Sequence, residues 1–121
     1  MSRSGKRAAL RLSALLTTTG TLHFATPKPF DKIVPSPLPG SARFWTYASG
    51  VAELGLAVLL ATPRTRRAGG TLAAAFFVAV FPGNVKAVRV LWDNPALRAA
   101  AIARLPLQIP LVTQALAARD G

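Results

Sequence analysis

Five polar side chains within or beside strongly apolar sequence are the best candidates for binding or proton transfer in this chain: His23, Glu53, Asn84, Arg104 and Gln108. In an apolar environment a charged or polar side chain is costly unless it finds a hydrogen-bonding or ionic partner. Such side chains therefore turn inward, toward each other or toward a ligand. We predict that these five residues line one polar cavity and include its ligand contacts.

Glu53 and Arg104 are predicted to lie at similar depths in two different helices. Their estimated offset along the helix axes is about 5 Å at 1.5 Å per residue. A guanidinium group spans that offset, and its fork matches a carboxylate. Two interpretations stay open: the pair holds the two helices together, or the carboxylate accepts a proton or orients a ligand.

The chain has few of the side chains that usually bind metal ions or haem iron. The sequence has one histidine and no cysteine, whereas protein metal sites commonly use three or four ligands. A haem with two histidine ligands is excluded within one chain. We expect no metal site, no catalytic residue set and no catalytic activity from the chain on its own, and His23 is more simply explained as a structural or interfacial residue.

Composition indicates that these polar residues lie inside a lipid bilayer. The chain has 121 residues, of which 51% are hydrophobic and 16% charged, with a mean hydropathy of +0.37. Soluble domains usually have about 25% charged residues. The net charge of +11 comes from short basic groups at the edges of apolar stretches, which is typical of membrane flanks. We therefore expect the lipid bilayer, and not nucleic acid, as the partner.

The apolar stretches predict an all-α fold, namely an antiparallel bundle of four transmembrane helices in a single integral membrane domain, residues 1–121. The helices are predicted at about 8–25, 42–61, 68–91 and 96–117. The first stretch is the weakest, and a cleaved signal peptide is the alternative, although a good small-residue cleavage site is missing. Pro82 either kinks the third helix or ends it, and Asp93 or Asn94 caps the fourth.

Five prolines between residues 26 and 41 predict a loop between the first two helices, because neither a helix nor a central strand tolerates that density. Its apolar residues place this loop against the membrane surface or the end of the bundle. An even number of crossings puts both termini on one side. The basic N-terminus and the basic turn at residues 64–67 favour the cytoplasm for that side.

Several short motifs follow one another in an order that resembles the DoxX-like family of small bacterial four-helix membrane proteins. They are Gly20-x-x-His23-Phe24 with Pro27 and Phe30, Ile33-Val34-Pro35 with Leu38-Pro39, Ser49-Gly50-x-x-Glu53, Pro63-x-x-Arg66, Val80-Phe81-Pro82-x-Asn84, and Arg104-Leu105-Pro106-x-Gln108. The resemblance implies a multi-pass protein of the inner membrane. For some relatives it also implies association with quinone-linked or sulfur-linked redox complexes.

Three functions are compatible with these features. The first is an accessory or anchoring subunit of a membrane-associated complex, with a membrane or soluble redox protein as partner. The second is a redox-associated protein that binds a quinone or lipid headgroup between its helices, and quinone is the cofactor that the resemblance suggests. The third is a transporter or channel subunit, which would require a homo-oligomer because four helices enclose little space.

Overall fold

The computed structural model describes residues 3–120, and within this part of the chain every regular element is helical. The elements are α1 (Arg3–Ala25), α2 (Pro27–Asp31), α3 (Ala42–Ala61), α4 (Arg66–Ala79), α5 (Phe81–Val90) and α6 (Pro95–Asp120), with a 3-10 turn at Pro63–Thr65. The predicted all-α class is confirmed.

Three helical stretches of the described chain are long and apolar enough to cross a membrane: Ala42–Ala61, Pro63–Val90 and Pro95–Arg119. This finding supports a multi-pass membrane protein. Helix α1 is longer than predicted, since it begins at Arg3 and not near residue 8. It does not reach the same apolarity because Arg11, His23 and several threonines interrupt its leucines and alanines.

Side-chain caps explain where α3 and α6 begin. The Ser41 hydroxyl accepts a hydrogen bond from the Phe44 amide at 3.1 Å. Asn94, one of the two predicted caps, accepts hydrogen bonds through its Oδ1 from the Ala96 and Leu97 amides, both at 3.1 Å. Each cap satisfies amide groups that have no partner within the helix.

The proline-rich stretch contains a short helix, so the prediction of a continuous loop is wrong for residues 27–31. Pro27 and Pro29 both lie in the first turn of α2. First-turn residues do not use their amide groups in helical hydrogen bonds, and the fixed φ of proline suits this position. Residues 32–41 form turns and bends without regular structure.

Near Pro82 the third predicted helix is interrupted, as one alternative predicted, and a helix then continues, as the other predicted. Helix α4 ends at Ala79, Val80 separates it from α5, and α5 begins at Phe81. The Asn84 amide donates to the Val80 carbonyl at 3.2 Å, so helical hydrogen bonding resumes within one turn. Pro82 again lies in a first turn, where its missing amide hydrogen costs little.

Packing places α1 against α3 and α6, and α4 against α3 and α6. The buried core comprises Ala8, Ala9, Leu12, Leu16, Leu56, Ala57, Leu60, Ala73, Ala74, Phe77, Ala115 and Ala118. Large apolar side chains such as Val51, Val58, Val78 and Ile109 are exposed. Exposed apolar residues on membrane-length helices are expected to face lipid.

A buried arginine closes the end of α3. Arg66 donates from Nε to the Leu60 carbonyl at 2.7 Å and from Nη2 to the Ala61 carbonyl at 3.2 Å. The last carbonyls of a helix have no amide partners within it and carry partial negative charge, so a cation there is favourable. This contact secures the turn between α3 and α4.

Helices α4 and α6 approach closely at Gly70. A Cβ atom built at this position would lie 2.6 Å from the Ala115 carbonyl oxygen and 2.6 Å from the Arg119 amide nitrogen. Both contacts involve backbone atoms, which cannot move aside by changing rotamer. Glycine at this position therefore sets the distance between the two helices.

We expect Gly70→Ala to lower the free energy of unfolding by about 1–3 kcal/mol, because the added methyl group forces the helices apart. Reversible unfolding in mixed detergent micelles measures this change. Gly55→Ala is the matched control, since a Cβ at Gly55 meets nothing within 4 Å. Equal effects of the two substitutions would contradict the assignment of Gly70 to a packing contact.

Candidate functional site

A cavity of about 600 Å³ lies between α1, α3, the junction of α4 and α5, α6 and the proline-rich segment. Four of the five residues singled out in the sequence line it: His23, Glu53, Asn84 and Arg104. They come from four different helices. The volume falls within the range of about 300–1,000 Å³ that is typical of small-molecule sites.

Gln108 differs from the sequence prediction, because it lies outside the lining of this cavity. The residue is buried, and its Oε1 accepts hydrogen bonds from Asn84 Nδ2 and Arg104 Nη1, both at 3.4 Å. Gln108 thus supports Asn84 and Arg104 from behind. Its Nε2 has no hydrogen-bond partner in the described part of the chain.

The ionisable group nearest to Glu53 is His23 and not the predicted Arg104. His23 Nδ1 lies 3.5 Å from Glu53 Oε2, whereas no guanidinium nitrogen of Arg104 lies within 4.0 Å of a carboxylate among residues 3–119. Arg104 instead contacts Gln108, one turn farther along its own helix. The two residues face the same cavity without forming an ion pair.

The carbonyl of Thr19 fixes the orientation of the His23 ring. His23 Nδ1 lies 2.7 Å from that oxygen, and because a carbonyl can only accept, Nδ1 is the donor. Glu53 Oε2 has no hydrogen-bond partner in the described part of the chain, although Glu53 is 9% exposed. Glu53 therefore lines the cavity and has one buried carboxylate oxygen with spare acceptor capacity.

Two glycines allow α1 to bring His23 next to α3. A Cβ at Gly50 would lie 2.7 Å from Cε2 of Phe24 and 2.9 Å from Cβ of His23. A Cβ at Gly20 would lie 3.0 Å from Cγ of Leu54 and 3.2 Å from Cβ of Glu53. Larger residues at these positions would separate the helices that carry His23 and Glu53.

Helix α2 adds an aromatic wall that the sequence did not reveal. The ring of Phe30 stacks on the His23 ring, with centroids 3.9 Å apart and an interplanar angle of 17°. The sequence motif shows how far Phe30 lies from His23 along the chain, but it does not show that the two rings stack. The stack holds the imidazole flat against the side of the cavity.

Polar contacts hold the proline-rich segment over the outer end of the cavity. Asp31 accepts hydrogen bonds from the Thr46 hydroxyl at 2.6 Å and from Arg43 Nε at 2.9 Å. These contacts hold the pKa of the Asp31 carboxyl below its ordinary value, with the Thr46 hydrogen bond as the larger cause. Lys86 Nζ donates to the Val34 carbonyl, which ties α5 to the same segment.

The wall of the cavity combines few polar groups with a larger apolar surface. Apolar side chains include Phe30, Ile33, Val34, Phe76 and Val80. The guanidinium of Arg104 supplies donors, and the carboxylate of Glu53 supplies an acceptor. Among the described residues, no group of three or more histidine, cysteine, aspartate or glutamate side chains could hold a metal ion.

The sequence signals for two other site features were weak. Thr46 reaches Asp31 across 15 positions of the chain, and such a hydrogen bond has no local pattern. The hydrogen bond from Lys86 to the Val34 carbonyl spans 52 positions, and no local pattern indicates it either.

We expect His23 and Glu53 to be energetically coupled, because removal of one partner leaves the other in low dielectric. A double-mutant cycle with His23→Gln and Glu53→Gln in detergent unfolding should give a coupling of about 0.5–3 kcal/mol. The cycle of Glu53→Gln with Arg104→Gln is the comparison and should give less. Additive effects of the first pair, or stronger coupling of the second, would contradict the observed geometry.

Comparison with known proteins identifies the family but no characterised relative. No curated protein and no solved structure matches the chain. A family model described as a domain of unknown function, DUF8561, matches residues 12–119. This range contains every residue of the candidate site, and it covers nearly the whole of the helical part. The chain therefore belongs to the DUF8561 family.

Proposed function

We propose that α1 is a fourth membrane crossing and that the protein is an antiparallel four-helix membrane protein of the DoxX-like type. The 23 residues of α1 correspond to about 34 Å at 1.5 Å per residue, enough to span the hydrocarbon. Its packing against α3 and α6 and its exposed Leu10, Leu15 and Leu22 support this assignment. The proposed location is the bacterial inner membrane, with both termini in the cytoplasm.

A reporter active only in the cytoplasm should be active when fused after Gly121, and a reporter active only after export should be active when inserted near Ser36. With four crossings and basic cytoplasmic flanks, Gly121 lies in the cytoplasm and Ser36, between the first two crossings, lies on the opposite side of the membrane. Alkaline phosphatase and a fluorescent protein at both positions give the measurement and its reciprocal control. Opposite compartments at the two positions support the count, whereas the same compartment at both would contradict it.

The proposed function is the binding of a quinone-type headgroup in the cavity between the helices. The observation that carries this proposal is that Glu53 and Arg104 line the same cavity, while Glu53 Oε2 lacks a hydrogen-bond partner among the described residues. Buried polar atoms are normally satisfied by protein, water or ligand. A ligand with both donor and acceptor oxygens satisfies Glu53 and Arg104 together.

The mixture of charges favours a neutral headgroup over an anionic lipid headgroup. A phosphate group would gain from Arg104, but a deprotonated phosphate has no hydrogen to donate to Glu53. A quinone carbonyl accepts from the guanidinium, and the hydroxyl of its reduced form donates to the carboxylate. The stacked rings of His23 and Phe30 and the apolar wall suit the flat ring of such a headgroup.

An accessory role in a redox complex is the second candidate, and the residue types favour it. With one histidine and no cysteine, the chain lacks the usual ligands for a haem pair or an iron–sulfur cluster. Electrons for a bound quinone would then come from a membrane or soluble partner protein. In this role the chain presents the quinone and has no catalytic activity of its own.

We expect a benzoquinone with a ten-carbon tail to quench the fluorescence of Trp45 saturably, because Trp45 lines the cavity. This oxidised probe has acceptor oxygens only, so it tests the contact with Arg104 and not the contact with Glu53. Purified protein carrying Trp92→Phe isolates this signal. Arg104→Gln should raise the Kd about tenfold, equivalent to about 1.4 kcal/mol, through loss of a charged hydrogen-bond donor.

Arg98→Gln is the matched control for Arg104→Gln, since Arg98 contacts Trp92 and does not line the cavity. Its Kd should equal that of the parent protein. Quenching that does not saturate, or equal changes in the two variants, would overturn the proposed function.

A further inference from the structure

A second cavity of about 380 Å³ adjoins the first. The two share five lining residues: Thr19, Glu53, Phe76, Val80 and Arg104. These five residues border both spaces and so lie between them, and we call them the neck. Its two ionisable residues, Glu53 and Arg104, are the groups assigned above to the headgroup.

Beyond the neck the second cavity is mostly apolar. Its further lining includes Leu16, Phe77, Pro110 and Leu111, and Gln114 is the polar residue at its far end. Arg104 and Gln114 are ten positions apart on α6, which corresponds to about 15 Å along the helix. An internal water commonly needs two to four polar partners, so most of this lining does not favour a column of water.

The second cavity reaches the outer surface of the protein between α1 and α6. Leu15 on α1 and Leu107 on α6 both line it, yet they are 40% and 52% exposed. Side chains that are half exposed and also border a cavity lie at its rim. This rim belongs to the apolar part of the helices, so it opens toward hydrocarbon.

We propose that the second cavity holds the hydrocarbon tail of the molecule whose headgroup binds in the first cavity. The ligand class is thus a head-and-tail amphiphile whose tail passes the Glu53 and Arg104 neck and leaves between α1 and α6. This inference rests on the proposed function. It adds that the ligand has a hydrocarbon tail and states the path of that tail. Because the two cavities share the neck, we assign them to one ligand and not to a headgroup ligand and a separate lipid.

Two benzoquinone probes test the inference, one with a ten-carbon tail and one with a methyl group in its place. Leu111→Trp adds bulk to the second cavity at a residue that is not part of the neck. It should raise the Kd of the ten-carbon probe about tenfold, since burial of a few methylene groups is lost. The Kd of the methyl probe should stay within about twofold of the parent value.

The control is Leu72→Trp, because Leu72 is exposed on α4 and lines neither cavity. Neither probe should change its Kd in this variant. Leu107→Trp is a second test at the exposed rim, where the larger ring has less packing to disturb, and it should also weaken only the ten-carbon probe. Retention of each probe on immobilised protein, quantified by absorbance, gives the Kd values.

The possible results separate the inference from the function on which it rests. If Leu111→Trp and Leu107→Trp raise the Kd of both probes equally, or raise neither, the tail path is overturned. Headgroup binding is then still supported. Loss of a co-purifying phospholipid with both probes unaffected also overturns the tail path, because the cavity then belongs to another lipid. If neither probe binds the parent protein saturably, the proposed function fails together with the inference.

Discussion

The close approach of α1 and α3 is the constraint on which the other features of the site depend. Glycine at positions 20 and 50 leaves room for Leu54 on one side and for Phe24 and His23 on the other. Without this approach the His23 ring would not reach the Glu53 carboxylate. The Thr19 carbonyl, one helical turn before His23, then orients the ring. The missing Cβ atoms at these two positions thus allow the contact between His23 and Glu53.

Most polar groups of the helices described above have partners within the protein, and a group without a partner that belongs to a cavity-lining residue indicates the site. Arg66 uses the carbonyl groups at the end of α3, and Asn84, Gln108 and Arg104 form a short hydrogen-bonded chain. These groups find partners within the protein, as an environment without water requires, except that Gln108 Nε2 has none among the described residues. Glu53 Oε2 also lacks a partner among these residues, but Glu53 lines both cavities and Gln108 lines neither. That imbalance favours a ligand over a purely structural role.

The proline-rich segment belongs to the site and does more than connect α1 with α3. Helix α2 positions Phe30 against His23, and its last residue, Asp31, is held by Thr46 and Arg43 of α3. Lys86 holds the following turn from α5. Proline restricts the unfolded chain in this segment, so ordering it over the cavity costs less entropy than ordering a flexible loop of the same length.

The sequence by itself determined the helical class, the apolar stretches and the identity of the polar residues that border the cavity. These properties depend on composition and on spacing along one helix, and both are local. Only the tertiary structure decided which polar groups meet. Depth along the helices suggested Glu53 with Arg104, but depth leaves the rotation of each helix and its distance to each neighbour undetermined. Those quantities depend on side-chain packing at Gly20 and Gly50, and they place His23 next to Glu53 and Gln108 behind Arg104.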